Sequence, residues 1–217
     1  MLNRFRGLFT KVFSPVARLF LRLGISPDTV TVVGTVGVCA GALIFFPRGQ
    51  LLVGVLVITA FVFSDLVDGH MARISGQSSK WGAFLDSTLD RFGDAAIFGG
   101  LAMYYVGPGD SENLAALAIY CLVMGSITSY ARARAESLGM EARGGIAERA
   151  DRLVSILLMT GLSGLLDQRI LMELTLWVLA AASAYTVVFR VLKVRAQAIE
   201  RDRSRSGRPA VPPSVAE

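Results

Sequence analysis

Side chains that bind soft metals or form disulfides are scarce in this chain. Of its 217 residues, one is a histidine (His70) and two are cysteines, Cys39 and Cys121. Both cysteines lie in apolar runs, where a free thiol behaves as a small packing residue. A disulfide framework and a Cys/His zinc site are therefore not expected.

Charged residues are also few, and long apolar runs take their place. Asp, Glu, Lys and Arg make up 18% of the chain, hydrophobic residues make up 53%, and the mean hydropathy is +0.54. Six apolar segments are each close to the ~20 residues that an α-helix needs to cross a bilayer. They are residues 28–46, 51–73, 82–106, 114–134, 149–166 and 170–193. This pattern predicts an all-α integral membrane protein with six transmembrane helices.

The two ends of the chain differ in composition from the six segments. Over residues 1–23, apolar side chains recur at helical spacing opposite basic residues such as Arg18 and Arg22, which is typical of an amphipathic helix at a membrane surface rather than of a signal peptide. After Lys193 the chain becomes rich in Arg, Ser and Pro, which favours disorder. We therefore expect an interfacial helix (1–23), a six-span domain (24–195) and a disordered basic cytoplasmic tail (196–217).

The positions of the basic residues predict the orientation in the membrane. With six spans, both termini lie on one side together with the second and fourth connections. That side holds all 22 Lys and Arg residues except Arg48 and Arg169, so the positive-inside rule makes it cytoplasmic. Much of the net charge of +5 then faces anionic headgroups and phosphate-bearing substrates. Because a basic rim is ordinary in a membrane protein, no nucleic-acid partner is expected.

Four aspartates interrupt the apolar runs at the cytoplasmic ends of the second and third segments. Asp65 and Asp68 are three residues apart, and Asp86 and Asp90 are four residues apart, so each pair shares one face of its helix. Carboxylates at this depth persist mainly where they pair, bind an ion or line a wet cavity. Asp94 continues the second stripe by one turn, and for this residue we expect an arginine partner.

The ligand type indicates which ion the four carboxylates would bind. Sites built from oxygen ligands suit hard cations such as Mg²⁺ or Mn²⁺, and Mg²⁺ commonly bridges substrate phosphates. Four carboxylates exceed what a single Mg²⁺ usually takes from a protein. Two metals that clamp a pyrophosphate, or one metal with a free carboxylate base, would each account for the excess. Structural ion pairs with arginines such as Arg73 and Arg91 are the alternative.

The aspartates belong to a longer pattern with fixed gaps. It runs Asp65-x2-Asp68-Gly69-x2-Ala72-Arg73-x8-Gly82-x3-Asp86-x3-Asp90 and resembles the signature of the CDP-alcohol phosphotransferases at every position. The resemblance implies a six-span homodimer in membrane lipid, in which an alcohol attacks the β-phosphate of a CDP-linked donor and releases CMP.

Roles for individual residues follow from this resemblance. The ligands that it implies for two divalent metals are Asp65, Asp68, Asp86 and Asp90. Asp90 is also the implied general base. The implied contacts to the CDP part of the donor, two of them from the match of residues 26–31 to the start of the family's first span, are Asp28, Thr31, Gly69, Ala72, Arg73 and Gly82. This division suits the chemistry, because a hydroxyl that attacks a pyrophosphate needs charge neutralisation, positioning and a proton acceptor.

Two further segments indicate the acceptor alcohol. Residues 129–136 and 144–152 resemble a subgroup of this family, the actinobacterial phosphatidylinositol-phosphate synthases, which join CDP-diacylglycerol to inositol 1-phosphate. This resemblance implies a location in the bacterial cell membrane and an acceptor-phosphate site formed by Arg132, Arg152 and Arg190. Family members often have Lys at the position of Arg132, so the charge is kept but its geometry differs.

The three arginines also suit a phosphate-bearing acceptor on physical grounds. They are predicted at the cytoplasmic ends of the fourth, fifth and sixth spans, and a guanidinium group binds phosphate bidentately. Arginines at such positions are otherwise anchors that extend to the headgroups, which is our expectation for Arg195. Arg190 is the most informative, because the apolar residues on both sides of it predict a charge that faces the bundle interior.

Two other functions match part of the pattern. Glycerol 3-phosphate also carries a phosphate, so the arginines alone do not exclude a phosphatidylglycerophosphate synthase. A divalent-cation transporter would also place carboxylates in membrane helices, but its path needs polar groups through the depth of the membrane. The first and fourth spans offer almost none. The sequence therefore favours transfer of a phosphatidyl group from CDP-diacylglycerol to inositol 1-phosphate.

Overall fold

The computed structural model consists of α-helices joined by short connections. It describes residues 14–76 and 79–206 and, within these ranges, the side chains of all residues except 63–66, 68, 72, 205 and 206. Residues 14–22 are helical (α1). Six longer helices follow: α2 (Pro27–Phe45), α3 (Leu51–Ser75), α4 (Lys80–Val106), α5 (Glu112–Ser137), α6 (Arg149–Leu166) and α7 (Ile170–Ser206). No strand occurs in these described ranges.

Each predicted apolar segment falls on one of the six longer helices. In the described part of the chain, three stretches are long and apolar enough to cross a membrane: Pro27–Arg48, Glu112–Ser137 and Ile170–Ser204. Leu51–Val62, in α3, is a shorter apolar stretch. The structure therefore confirms an all-α architecture in the described residues, with three helices long and apolar enough to span a membrane, whereas the count of six spans stays a prediction.

Local side-chain chemistry fixes where several helices begin and end. Three serines cap helix N-termini by accepting a hydrogen bond from the backbone amide three residues later, which satisfies a donor that the first turn leaves unpaired. They are Ser26 before α2, Ser79 before α4 and Ser111 before α5. Asp167 ends α6 in the left-handed conformation, with a φ of 52°. The short predicted break at residues 166–169 is therefore a tight turn.

The six longer helices pack pairwise into a closed ring. α2 packs against α3 and α4, α4 against α5, α5 against α7, α7 against α6, and α6 against α3. Large apolar side chains such as Ile58, Phe98 and Leu176 are buried inside this ring. Others, including Val106 and Trp177, are exposed on its outside, where lipid would surround them. The ring brings polar residues of α4, α5, α6 and α7 to one cavity.

Glycine allows α2 and α4 to approach closely. A Cβ atom added at Gly100 of α4 would lie 2.7 Å from the carbonyl oxygen of Ala42 in α2, whereas one added at the neighbouring Gly99 would meet no described atom within 4 Å. A backbone carbonyl cannot rotate away as a long side chain can. Small residues at such contacts are a common feature of packing between membrane helices.

We expect Gly100→Ala to lower the thermal stability of the protein. The added methyl group overpacks the α2–α4 contact, which typically costs about 1–3 kcal/mol. The control is Gly99→Ala, which should leave stability unchanged or raise it, because Ala favours a helix over Gly by about 1 kcal/mol. The melting temperatures of both variants in one detergent provide the measurement. Equal melting temperatures for the two variants would show that α2 and α4 accommodate the methyl group without loss of stability.

The described part of α1 packs on α2 and α3. Its buried residue joins a small apolar cluster that comprises Ala17, Val30, Val67 and Met71. Ser14 Oγ lies 2.9 Å from His70 Nε2 on α3. Leu19 on the other side of α1 is exposed. One face of this helix is therefore held on the protein, and its lying in the headgroup region stays a prediction, since residues 1–13 lie outside the described residues.

The prediction of a disordered tail is wrong for its first part. α7 continues to Ser206, so residues 196–206 are helical. The physical reason is that Gln197 and Arg201 form hydrogen bonds with the backbone of the loop between α5 and α6. A segment without an apolar face is thus held by polar contacts. The remaining tail residues, 207–217, lie outside the described residues.

Candidate active site

A cavity of about 700 Å³ opens between α4, α5, α6 and α7. Each of the four helices contributes one of the predicted site residues to its lining: Asp90, Arg132, Arg152 and Arg190. These residues are up to 100 positions apart in the sequence. The structure therefore brings the predicted base and all three predicted acceptor arginines to one cavity.

The cavity has a surplus of positive charge. The arginines in its lining are Arg91, Arg132, Arg149, Arg152 and Arg190, and the carboxylates are Asp90, Glu136 and Glu148. Five positive side chains face three negative ones, a surplus of two. A phosphate monoester carries about two negative charges at neutral pH. The cavity is therefore complementary in charge to one such group.

Arg152 is buried on α6, with only 2% of its surface exposed. Its Nη1 donates to the carbonyl oxygen of Ala147 at 3.1 Å, and its Nη2 lies 4.0 Å from Asp94 Oδ2. Its Nε has no hydrogen-bond partner among the residues that the structure describes. Since an unpaired buried donor is costly, a charged guanidinium with an unused donor in the cavity wall is suited to an anionic ligand.

Arg190 is buried on α7, with 3% exposed. Its Nη1 donates to the carbonyl oxygen of Thr128 at 2.8 Å, and its Nε donates to that of Gly144 at 3.1 Å. Its Nη2 lies 3.9 Å from Glu148 Oε1. The predicted inward orientation of this charge is confirmed. These contacts fix the guanidinium between α5 and the loop that leads to α6.

Arg132 on α5 is less constrained than the other two. Its side chain is 41% exposed, and its Nε donates to Glu136 Oε1, one turn further along the helix, at 3.0 Å. An exposed ion pair of this kind contributes little to stability. Arg132 is therefore free to exchange this partner for a ligand.

Asp90 is held by arginines on two sides. Arg149 Nη1 lies 2.9 Å from Oδ1, and Arg91 Nη2 lies 3.7 Å from Oδ2. Arg149 Nε also donates to Asp94 Oδ1 at 3.0 Å, so this one side chain of α6 connects two carboxylates of α4. The expected arginine partner of Asp94 is confirmed. Arg149 fixes the orientation of the Asp90 carboxylate within the cavity.

Arg149 was not among the residues predicted to form the site. It is the first residue of α6 and precedes Arg152 by three positions, which places both on one face of the helix. That spacing was the available signal. It did not identify Arg149 because the partner of this face, α4, is apparent only from the tertiary structure.

The structure describes part of the predicted metal site. Asp65 and Asp68 lie in α3, as does Ala72 of the predicted donor contacts, but the side chains of all three lie outside the described residues. Asp86 is exposed on α4, one turn before Asp90. Among the side chains described, no three His, Cys, Asp or Glu residues are close enough to hold a metal ion. Asp86 and Asp90 are the oxygen donors that a hard divalent cation prefers, so their chemistry fits such an ion.

Two of the predicted donor contacts are adjacent in the structure. A Cβ atom added at Gly82, at the start of α4, would lie 3.6 Å from Oδ1 of Asp28 at the start of α2. Thr31 is buried, and its hydroxyl donates to a carbonyl of its own helix at 3.1 Å. Gly69 and Arg73 are exposed on α3, and a Cβ atom at Gly69 would meet no described atom within 4 Å.

These features define an integral membrane protein of α-helices with an arginine-rich cavity that is complementary to phosphate compounds. The family model of the CDP-alcohol phosphatidyltransferases matches residues 24–192. The chain belongs to this family.

Individual relatives share a narrower activity. The chain is 51% identical to the phosphatidylinositol phosphate synthase of Streptomyces avermitilis over 209 residues, which cover 93% of this chain and 86% of that protein. The solved structure of Mycobacterium tuberculosis phosphatidylinositol phosphate synthase with CDP-DAG bound has a TM-score of 0.81 and 39% identity, covering 85% of this chain and 94% of that one. A structure of the same protein in complex with manganese and citrate has a TM-score of 0.79 and 39% identity, covering 84% and 88%.

Proposed function

We propose that this enzyme transfers the phosphatidyl group of CDP-diacylglycerol to inositol 1-phosphate, which yields phosphatidylinositol phosphate and CMP. The observation that carries the proposal is the cavity in which Asp90 lies with Arg132, Arg152 and Arg190. The relatives, named as phosphatidylinositol phosphate synthases, support the same acceptor.

The arginines bind the phosphate of the acceptor and thereby position its hydroxyl groups. Arg152 and Arg190 are buried and already oriented, so little conformational freedom is lost when the ligand binds. Glu136 and Glu148 in the same lining are acceptors for hydroxyl groups of a polyol. A phosphate at one end and several hydroxyls at the other are the features of inositol 1-phosphate that this lining matches.

Asp90 accepts the proton of the attacking hydroxyl. A general base must lie within hydrogen-bond reach of the group that it deprotonates, and Asp90 shares the cavity with the arginines that hold the acceptor. Arg149 orients the carboxylate from α6. Removal of the proton makes the oxygen a nucleophile for the β-phosphate of the donor, and CMP leaves.

We further propose that Asp65, Asp68, Asp86 and Asp90 hold two divalent cations, Mg²⁺ or Mn²⁺. The manganese complex of the M. tuberculosis relative supports the use of a divalent metal in this family. When bound, such cations neutralise charge on the pyrophosphate of the donor. In this chain Asp86 and Asp90 present oxygen ligands from one face of α4.

The CDP part of the donor is proposed to lie against the beginnings of α2 and α4 and the second half of α3. The contact residues are Asp28, Thr31, Gly69, Ala72, Arg73 and Gly82. The proximity of Asp28 to Gly82 supports this placement. Glycine at two of the positions allows a phosphate to approach the backbone closely.

The proposed arrangement in the membrane is a homodimer with six spans per protomer. The protein lies in a bacterial cell membrane, with its termini and its cavity on the cytoplasmic side. The positive-inside rule supports this orientation, because 20 of the 22 Lys and Arg residues of the sequence are predicted on one side and only Arg48 and Arg169 on the other.

The decisive measurement is CMP release from CDP-diacylglycerol by the purified protein in Mg²⁺-containing mixed micelles. Inositol 1-phosphate, free inositol and glycerol 3-phosphate are added in separate reactions. Of the three acceptors, we expect only inositol 1-phosphate to give product. A chelator should abolish this activity, and either Mg²⁺ or Mn²⁺ should restore it. Efficient turnover of glycerol 3-phosphate instead would identify a phosphatidylglycerophosphate synthase.

A further inference from the structure

One face of α7 binds the backbone of the loop between α5 and α6, residues 138–148. The polar side chains of this face recur every three or four residues, so they form a single line along the helix. We call them the α7 stripe: Thr186, Arg190, Lys193, Gln197 and Arg201. Their partners in the loop run in the opposite direction, from Ala147 back to Leu138.

The far end of the stripe holds the first half of the loop. Gln197 donates to the carbonyl oxygen of Glu141 at 2.6 Å and accepts from the amide of the same residue at 2.9 Å. Arg201 donates to the carbonyl oxygens of Leu138, at 3.2 Å, and Gly139. Lys193 donates to the carbonyl oxygen of Arg143 at 2.9 Å. Three side chains thus satisfy four carbonyl groups and one amide.

The near end of the stripe holds the second half of the loop. Arg190 donates to the carbonyl oxygen of Gly144, and Thr186 Oγ1 accepts from the amides of Ile146 and Ala147 at 3.3 and 3.2 Å. Gly145 has a φ of 111°, and a Cβ atom there would lie 2.4 Å from Thr186 Cγ2. Glycine is therefore required for the loop to lie against α7.

The loop that α7 holds leads directly into the cavity wall. The carbonyl oxygen of Ala147 accepts from Arg152, and the next residues, Glu148 and Arg149, line the cavity. Arg190 belongs to both structures, because it binds Gly144 and lines the cavity. A shift of the loop would therefore move several groups of the proposed acceptor site together.

The length of α7 also indicates a purpose beyond crossing the membrane. At ~1.5 Å per residue, its 37 residues extend for about 55 Å, well beyond the ~30 Å hydrocarbon layer. Lys193, Gln197 and Arg201 lie in this extension. None of them is among the described residues that line the cavity, so they act on the reaction indirectly, and the loop is the segment that they bind.

We propose that Lys193, Gln197 and Arg201 are positioning residues that set the geometry of the acceptor-phosphate site through the loop. This inference rests on the proposed function. The C-terminal turns of α7 act as a splint that fixes the loop backbone. The fixed loop in turn holds Glu148 and Arg152 at the distances that the acceptor requires.

The first test is the kinetics of the double variant Gln197→Ala/Arg201→Ala in the full-length protein. We expect its apparent KM for inositol 1-phosphate to rise about tenfold, because small displacements of binding groups have large kinetic effects. Its KM for CDP-diacylglycerol and its kcat at saturating acceptor should stay within about twofold of wild type. Arg195→Ala, exposed on α7 outside the stripe, is the matched control. Arg201→Lys retains a hydrogen-bond donor, so its KM for inositol 1-phosphate should stay close to the wild-type value.

The second test is hydrogen–deuterium exchange of the loop amides in the same proteins, which does not depend on turnover. Exchange over residues 138–147 should be faster in the double variant than in wild type and Arg195→Ala, with α6 unchanged. An unchanged acceptor KM, or unchanged loop exchange, would overturn the inference. Absence of wild-type turnover with inositol 1-phosphate would instead contradict the proposed function, and the exchange comparison alone would then decide whether α7 holds the loop.

Discussion

Asp90→Asn is expected to abolish turnover and to leave binding of CDP-diacylglycerol largely intact. The amide has nearly the shape of the carboxylate but cannot accept the proton of the attacking hydroxyl. General-base catalysis typically contributes about 10²- to 10⁴-fold, so kcat should fall by about three orders of magnitude. CMP release gives kcat, and binding of the donor to the purified variant is measured separately.

A matched control for this variant is Asp94→Asn. Asp94 is one turn further along α4 and shares the Arg149 contact with Asp90, but it is not in the cavity lining. If loss of an Arg149 partner were the cause of inactivity, both variants would lose activity to the same degree. We expect Asp94→Asn to lower stability and to retain much more turnover. Robust activity in Asp90→Asn would remove the base assignment.

The proposed second role of Asp90, as a metal ligand, is separable from its role as a base. If Asp90 binds the metal, its replacement raises the Mg²⁺ concentration that gives half-maximal donor binding. If Asp90 acts only as a base, its replacement leaves that concentration unchanged. Titrating Mg²⁺ during donor binding to Asp90→Asn therefore distinguishes the two roles without requiring turnover.

The helices were predictable because local rules determine most of their limits. Apolar runs set the length of α2 to α6, and serines at positions 26, 79 and 111 supply N-caps for three helices. The end of α7 was not predictable in this way. Its last turns are polar, and their partners are backbone groups of a loop 50 to 63 residues earlier, which no pattern of hydropathy records.

Part of the candidate site was also predictable from the sequence, and the rest depends on the tertiary structure. The fixed spacing of the signature located Asp86 and Asp90, and the apolar neighbours of Arg190 indicated its burial. The bridge from Arg149 to two carboxylates depends on which face of α6 meets α4. A guanidinium charge at the start of a helix has many possible partners, and only the ring of helices selects among them.

The second large effect is expected from substitutions at Arg152 and Arg190. Replacing either with Gln should raise the apparent KM for inositol 1-phosphate, with little change for CDP-diacylglycerol. Losing a charge-assisted contact in a largely buried pocket costs on the order of 1.5–3 kcal/mol, roughly ten- to a hundredfold in kcat/KM. The control is Arg195→Gln, because Arg195 is exposed and is expected to serve as a membrane anchor.

A variant that retains every charge makes this test sharper. A Cβ atom at Gly125 of α5 would lie 2.9 Å from Nη2 of Arg152, so Gly125→Ala must displace the guanidinium without removing it. We expect a rise in the acceptor KM in the same direction as for Arg152→Gln, but smaller. Gly99→Ala, in open space on α4, should leave the KM unchanged. If the Arg152, Arg190 and Gly125 variants all keep wild-type acceptor kinetics, the acceptor phosphate is bound elsewhere, because two buried guanidinium groups that hold it cannot be altered without weakening its binding.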